Sequence, residues 1–137
     1  MTTPRAEDAD EIWTRACDPS VPVGHPGDAA LAAVLLCHGM AMNGGLLSAV
    51  EGLEPDQRAR AVAGFRLLGL DAAAQAVEDV ARATADLPEG DLEAAEGLEA
   101  EADRRYDEAL PEGDETIDRA FRAHLDRHPE AYAPLDG

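Results

Sequence analysis

Residues 28–45 read DAALAAVLLCHGMAMNGG, and this stretch decides the fold class. Leu31, Val34, Leu35, His38 and Met42 recur at i, i+3, i+4, i+7 and i+11, the spacing of one helix face, while Ala32, Ala33 and Leu36 keep the other sides apolar. A helix apolar nearly all round is the central one of its domain. Asp28 stands where an N-cap belongs. Asn43, Gly44 and Gly45 supply the stop, because asparagine and glycine tolerate the left-handed backbone at a helix C-terminus. The apolar run from Ala29 to Cys37 is nine residues before His38 and Gly39 interrupt it, too short to span a bilayer.

Toward the N-terminus, the stretch Asp18 to Gly27 holds Pro19, Pro22, Gly24, Pro26 and Gly27 and reads as a loop. Ahead of it, Ala9, Ile12, Trp13 and Ala16 mark one side of a helix from Ala6 to Cys17, with Glu7, Asp8, Asp10 and Glu11 near its start, where acids suit the helix dipole. Toward the C-terminus, a short helix is expected over Leu46 to Leu53. Pro55 opens another that runs to Leu68, with Val62, Phe65 and Leu67 as its large apolar groups and Gly69 as its stop. From Asp71, an inward stripe of Ala73, Ala76, Val77, Val80, Ala81 and Thr84 faces away from Gln75, Glu78, Asp79 and Arg82.

After the breaker Pro88-Glu89-Gly90, a long helix from Asp91 to Leu110 is expected to bury Leu92, Ala95, Leu98, Ala102, Tyr106 and Ala109. Pro111 and Gly113 separate it from a last helix capped by Asp114, with Ile117, Phe121, His124 and Leu125 inward, ending before Pro129. Aromatics are only 4 % of the chain, which suits helices packed through alanine better than strands. The expectation is all-α: one compact domain, a bundle of six to seven helices. Residues 1–27 form its N-terminal helix and Pro/Gly loop, and residues 28–137 its acidic helical part.

The chain carries 29 acids against 11 basic residues, all of them arginine, for a net charge of −18. Such a surface repels nucleic acid and anionic lipid and attracts proteins with a basic face, including those that bind DNA. The field is uneven. Residues 86–137 hold seventeen acids and five arginines, and residues 91–108 hold eight acids and two arginines. A helix over the latter is about 27 Å long at about 1.5 Å per residue. That is one net charge per roughly 4.5 Å, against about 3.4 Å for a single DNA strand. Glu96, Asp103 and Asp107 recur at i, i+7 and i+11 with Glu93 near them, so carboxylates can stand in a row. An acidic helix face is usually a solvated face, but most soluble helices dilute their acids with i, i+4 cations, and lysine is absent here. Crowding of like charges is also expected to raise carboxyl pKa values.

Catalytic and metal signatures are lacking. His38 follows Cys37 on an apolar face, the setting of a hydrogen-bonded core histidine, and His25, His124 and His128 share no ligand spacing with either cysteine. Ser20 and Ser48 have no triad context, and Gly44-Gly45 lacks the Lys-Ser/Thr of a phosphate loop. No enzyme activity, metal or cofactor is expected. With no secretory signal, Cys17 and Cys37 are expected to be free and buried in a cytoplasmic protein.

The segment His38-Gly39-Met40-Ala41-Met42-Asn43-Gly44-Gly45-Leu46-Leu47, followed by Ala61 to Gly69 and the helix Asp71 to Thr84, resembles the family of small acidic helical bacterial proteins that includes the DMP-like DNA mimics. The parts that correspond are the Asn43 to Gly45 step, the Leu68-Gly69 turn, Ala72 to Ala76, the acidic Leu98 to Leu110 and the aromatic-containing Phe121 to Tyr132. Leu46 stands where an aromatic usually follows the glycines. The resemblance implies a homodimer of helical subunits whose carboxylates imitate phosphates and occupy the DNA-binding surface of a transcription factor or nucleoid protein.

Charge and resemblance meet in one expectation: a DNA mimic that binds a basic DNA-binding protein, not nucleic acid and not a membrane. Its working acids are Glu93, Glu96, Glu99, Glu101, Asp103, Asp107, Glu108, Glu112, Asp114, Glu115 and Asp118. Asn43, Gly44, Gly45 and Gly69 serve the fold. The rival readings are an immunity or antitoxin protein that neutralises a basic toxin, a small-ligand protein using the His38 neighbourhood, and acidity that serves only solubility.

Overall fold

The computed structural model describes residues 6–21 and 23–135; residues 1–5, 22 and 136–137, Pro22 of the expected loop among them, lie outside the described residues. Seven α-helices follow one another: α1 (Ala6–Ala16), α2 (Pro26–Gly44), α3 (Leu46–Gly52), α4 (Pro55–Leu67), α5 (Asp71–Ala85), α6 (Leu92–Ala109) and α7 (Asp114–Arg127). A 3-10 turn, Pro129–Ala131, closes the order, and no strand occurs among the described residues. The protein is an all-α single domain.

Helix α2 packs against α1, α3, α4 and the 3-10 turn, with Leu31, Val34 and Cys37 fully buried. Gly64 brings α4 unusually near: a Cβ there would stand 2.6 Å from the Ala30 carbonyl oxygen, so the crossing needs glycine. Yet α2 is apolar all round while buried on one side only. Leu36 is 45 % exposed because it lies about 200° around the helix from Val34. Met42 is 57 % exposed, while its neighbour Ala41 is buried.

The turn from α2 to α3 rests on one residue. Asn43 and Gly44 remain helical, and Gly45 alone breaks the backbone, with φ 90° and ψ 161°. Its N–H donates to the Ala41 carbonyl and its own carbonyl accepts from Ala49, so it ends one helix and starts the next. At the end of α4, Gly69 takes φ 80°; its N–H donates to the Arg66 carbonyl and that of Leu70 to the Phe65 carbonyl, a paired closure of the last turn. The buried stripe of α4 is Ala61, Val62, Phe65 and Leu68. Leu67, the third large apolar group of the helix, is 42 % exposed because it sits about 200° from Phe65.

The N-terminal half of α6 meets the core through Leu98, partly buried against it, but holds no fully buried residue. Leu92, expected to be buried, is 76 % exposed, and the buried residues of α6 are Ala102 and Tyr106 in its C-terminal half. Helix α7 buries Ile117, Phe121, His124 and Leu125, as its spacing predicts. Cys37 is buried, but Cys17, one residue past the end of α1, is exposed.

Candidate partner-binding face

The acids of α6 and α7 divide into two kinds. Asp91 is the N-cap of α6, its side chain accepting the Ala94 N–H at 2.9 Å. Beyond it, Glu93, Glu96 and Glu99 are exposed and have no cation partner among the described residues; Asp107, further along, is the same. Glu101 and Glu108 instead clasp Arg104 from the preceding and following turns, at 2.5 and 2.9 Å. Glu112 is held by Arg119, and Asp118 by Arg122, which also reaches Asp10 of α1 at 2.5 Å. Glu115 is exposed beside the Arg119–Glu112 pair.

Asp103 breaks the expected row. It is half-buried, and its Oδ1 accepts the Leu46 N–H at 3.1 Å, so its charge serves the N-terminus of α3. A Cβ on Gly45 would stand 3.1 Å from the same oxygen, so the glycine supplies both the backbone angle and the space for the carboxylate.

Asp114 departs from its expected role as well. The N-cap of α7 is Gly113, with φ 58°, and Asp114 is the first helical residue. The orphan N–H of Glu112 is taken by Thr116 Oγ1 at 3.0 Å. The Asp114 carboxylate, 76 % exposed, instead lies 2.6 Å from Nε2 of His38, which is itself buried. The two groups face each other without the alignment of a hydrogen bond. His38 Nδ1 is 2.7 Å from the Tyr106 hydroxyl. With a proton on Nε2 facing the carboxylate, Nδ1 accepts from Tyr106, and the ring ties α2, α6 and α7 together. Burial drives the Tyr106 hydroxyl above its ordinary pKa and pushes the neighbouring Cys37 thiol up to about 11, so both stay protonated at neutral pH.

A second polar cluster secures the C-terminus. Asp28, expected to cap α2, lies inside its first turn and is buried. Its Oδ1 accepts from Arg15 at 2.7 Å and its Oδ2 from the Ala133 N–H at 2.7 Å. Arg15 also donates to the Ala133 carbonyl, which fastens α1, α2 and the terminal segment in one knot. Nearby, His124 Nδ1 is 2.9 Å from the Tyr132 hydroxyl, and the His128 ring lies 5.0 Å from the His124 ring, tilted by 43°. Desolvation, then the charges of His128 and Arg127, hold the His124 pKa below its ordinary value.

Charge crowding does not dominate the carboxyl groups. Glu78, Asp79, Glu101 and Glu112 all have lowered pKa values, because each first of all accepts a hydrogen bond from an arginine, and Asp18 is lowered by Ser20. No group of three or more metal-ligating side chains is placed to hold an ion among the described residues, and no helix is long and apolar enough to cross a membrane.

Residues 25–134 match the DMP19-like protein family, and no curated protein or solved structure matches the chain. This chain belongs to the DMP19-like protein family. The matched span opens one residue before α2 and ends at Pro134, so it takes in the Gly45 junction, the Asp103 contact, the His38 cluster and the Tyr132 anchor. Helix α1 lies before it, and Ile12 and Arg15 join it to the matched part through the core and through Asp28. Within this DMP19-like domain the first half of α6 carries three exposed acids without a cation partner among the described residues, Glu93, Glu96 and Glu99, at three-residue steps, and Asp107 adds a fourth on the same helix.

Proposed function

We propose that this DMP19-like protein binds a basic DNA-binding protein through the acids of α6 and keeps it from DNA, a binding role with no chemistry of its own. The observation that carries the reading is the set Glu93, Glu96, Glu99 and Asp107, exposed and unmatched by any cation of the described chain. A carboxylate already held by an arginine has little left to offer a partner; an unmatched one gains a charge-assisted hydrogen bond on binding. Asp103 and Asp114 are assigned to the fold, and Glu101, Glu108, Glu112 and Asp118 to a partly neutralised border around the face.

Two copies of so acidic a chain repel, and α2 offers the surface where that repulsion is least. Its one charged residue, Asp28, is buried, and Leu36 and Met42 are exposed. The reading extends to a homodimer through this face, which light scattering on the purified protein tests; a monomer at about millimolar concentration removes it.

The partner is obtained by capture from native lysate, salt elution and mass spectrometry, and its displacement from labelled duplex DNA is then titrated. Changing Glu93, Glu96 and Glu99 to glutamine and Asp107 to asparagine should preserve helix content while weakening displacement strongly and flattening its salt dependence. A control with Glu7, Glu11, Glu51 and Asp126 neutralised removes the same charge elsewhere. Equal losses in both variants would reduce the effect to net charge, and full displacement by the first would remove α6 from the interface.

A further inference from the structure

We infer that His124 and His128 form a two-imidazole site for a divalent transition-metal ion of the zinc class at the C-terminal end of α7, with water completing the coordination. The two stand four residues apart, so they share one face of the helix, the spacing at which a histidine pair chelates zinc. Helical bonding persists to the second of them, since the His128 N–H donates to the His124 carbonyl at 2.8 Å. Their ring centres are 5.0 Å apart and the ring planes differ by 43°. With a zinc–nitrogen bond of about 2.0–2.1 Å and each nitrogen about 1.1 Å from its ring centre, two imidazoles on one ion stand about 4.5 Å apart at a right angle and about 5.1 Å apart at the tetrahedral angle. The observed spacing falls inside that range.

Each ring already has the second partner that a metal-binding histidine needs. Nδ1 of His124 meets the Tyr132 hydroxyl at 2.9 Å and Nδ1 of His128 meets Glu130 Oε1 at 3.3 Å, which leaves Nε2 of each ring without a partner among the described residues. With both protons on Nδ1, the two Nε2 lone pairs are free to bind. The His124 ring is fixed by its packing at 5 % exposure, whereas the half-exposed His128 side chain has room to close on the ion. Desolvation, first of all, keeps the His124 ring neutral at pH 7, as a ligand must be. The fixed charges that act on it are Arg127 and Glu130, one of each sign, while the helix C-terminus and the net charge of −18 both favour a cation. Imidazole nitrogen selects zinc, copper or nickel; magnesium and calcium take oxygen ligands and have the carboxylates elsewhere. An ion held here fastens the last turn of α7 to the residue that opens the 3-10 turn.

Zinc chloride is titrated into the full chain by calorimetry near pH 7.5, in about 10 mM magnesium chloride to occupy the carboxylate surface. One zinc per chain should bind, and His124→Gln and His128→Gln should each weaken it tenfold or more. Cys17→Ser and His25→Gln, which remove an exposed thiol and a histidine outside the pair, should leave the affinity unchanged. Circular dichroism follows the fold of every variant. If His124→Gln unfolds, His128→Gln decides, since its side chain lies half in solvent. Substoichiometric nickel chloride should broaden the ring proton resonances of His124 and His128 before those of His25 and His38. No zinc binding by the wild type in magnesium, wild-type affinity in His128→Gln, a tenfold loss in Cys17→Ser, or broadening that begins at another histidine would overturn the inference.

Discussion

Replacing Asp103 by alanine tests the division of the acids most directly. The substitution deletes one charge from the acidic helix, but its structural effect falls on α3, whose Leu46 N–H loses the carboxylate that accepts it at 3.1 Å. A hydrogen bond to a charged group contributes about 1.5–3 kcal/mol, and a carboxylate at a helix N-terminus adds about 0.3–1 kcal/mol. Asp103 is half-buried, so the lower end applies, about 1.5–2 kcal/mol. At about 2.1 cal/mol/K per residue, a chain of 137 residues has an unfolding entropy near 0.3 kcal/mol/K, and Tm should fall by about 5–7 °C.

Asp103→Asn is the paired variant. Asparagine is an equally good acceptor at helix N-termini, so it should hold Tm close to wild type while removing the same charge. Thermal unfolding followed by far-ultraviolet circular dichroism near neutral pH reads both. A contact residue would behave in the reverse way, with Tm unmoved and partner binding weakened by either change. An unchanged Tm in Asp103→Ala would refute the docking of Asp103 on α3, and equal losses from alanine and asparagine would show that charge, not acceptor geometry, is what counts.

Gly45→Ala should destabilise by about 2 kcal/mol, since φ 90° strains any residue with a Cβ; combined with Asp103→Ala it should cost less than the sum, because both act on one contact, and a double-mutant cycle in urea measures the coupling. Arg15→Ala leaves the buried Asp28 carboxylate without its cation and should cost about 3–5 kcal/mol, with amide exchange accelerated first around Ala133. His124 has a folded pKa below its unfolded value, so between the two the unfolded chain binds more protons. Its contribution is complete above the ordinary value of 6.5 and is lost as pH falls from there toward the folded pKa. His124→Gln should accordingly flatten the decline of Tm between about pH 7.5 and 5.5, and an identical decline in the variant would place the titration elsewhere.

Much of the fold is legible in the residues alone because its punctuation is local. Pro55, Gly69, the Pro88-Glu89-Gly90 break and Gly113 bound helices whose observed limits lie within a residue or two of those expected. Apolar spacing marks the inward stripes of α5 and α7 correctly, since both helices pack one face along their length. It misplaces Met42 and Leu92, at the ends of α2 and α6, where packing does not follow the whole length of the helix, a fact that periodicity does not contain. The acids Asp28, Asp103 and Asp114 show the same limit. Each looks like a cap or a surface charge, and each meets a partner far away in sequence: Ala133 for Asp28, Leu46 for Asp103 and His38 for Asp114. No local rule finds such pairs. The strained step at Gly45 beside a half-buried acid is visible only once α6 lies against α3.

The arginines give the acidity its order. A chain with eleven cations and twenty-nine acids could scatter its pairs evenly, yet Arg15, Arg105 and Arg122 join different helices, while Arg104 and Arg119 quiet the acids on the C-terminal half of α6 and at its turn into α7. The lowered carboxyl pKa values mark where that pairing succeeds. The first half of α6 receives none of it: Leu98 packs against the core, but Leu92 is exposed, and Glu93, Glu96 and Glu99 stand in solvent. Among the described residues, exposed acids without a cation partner also occur at Glu51, Asp71, Asp86, Glu89, Glu115 and Asp126, but on α6 three of them recur at three-residue steps along a single helix. That run of unpaired carboxylates along one helix is the charge the proposed binding face has to offer another molecule.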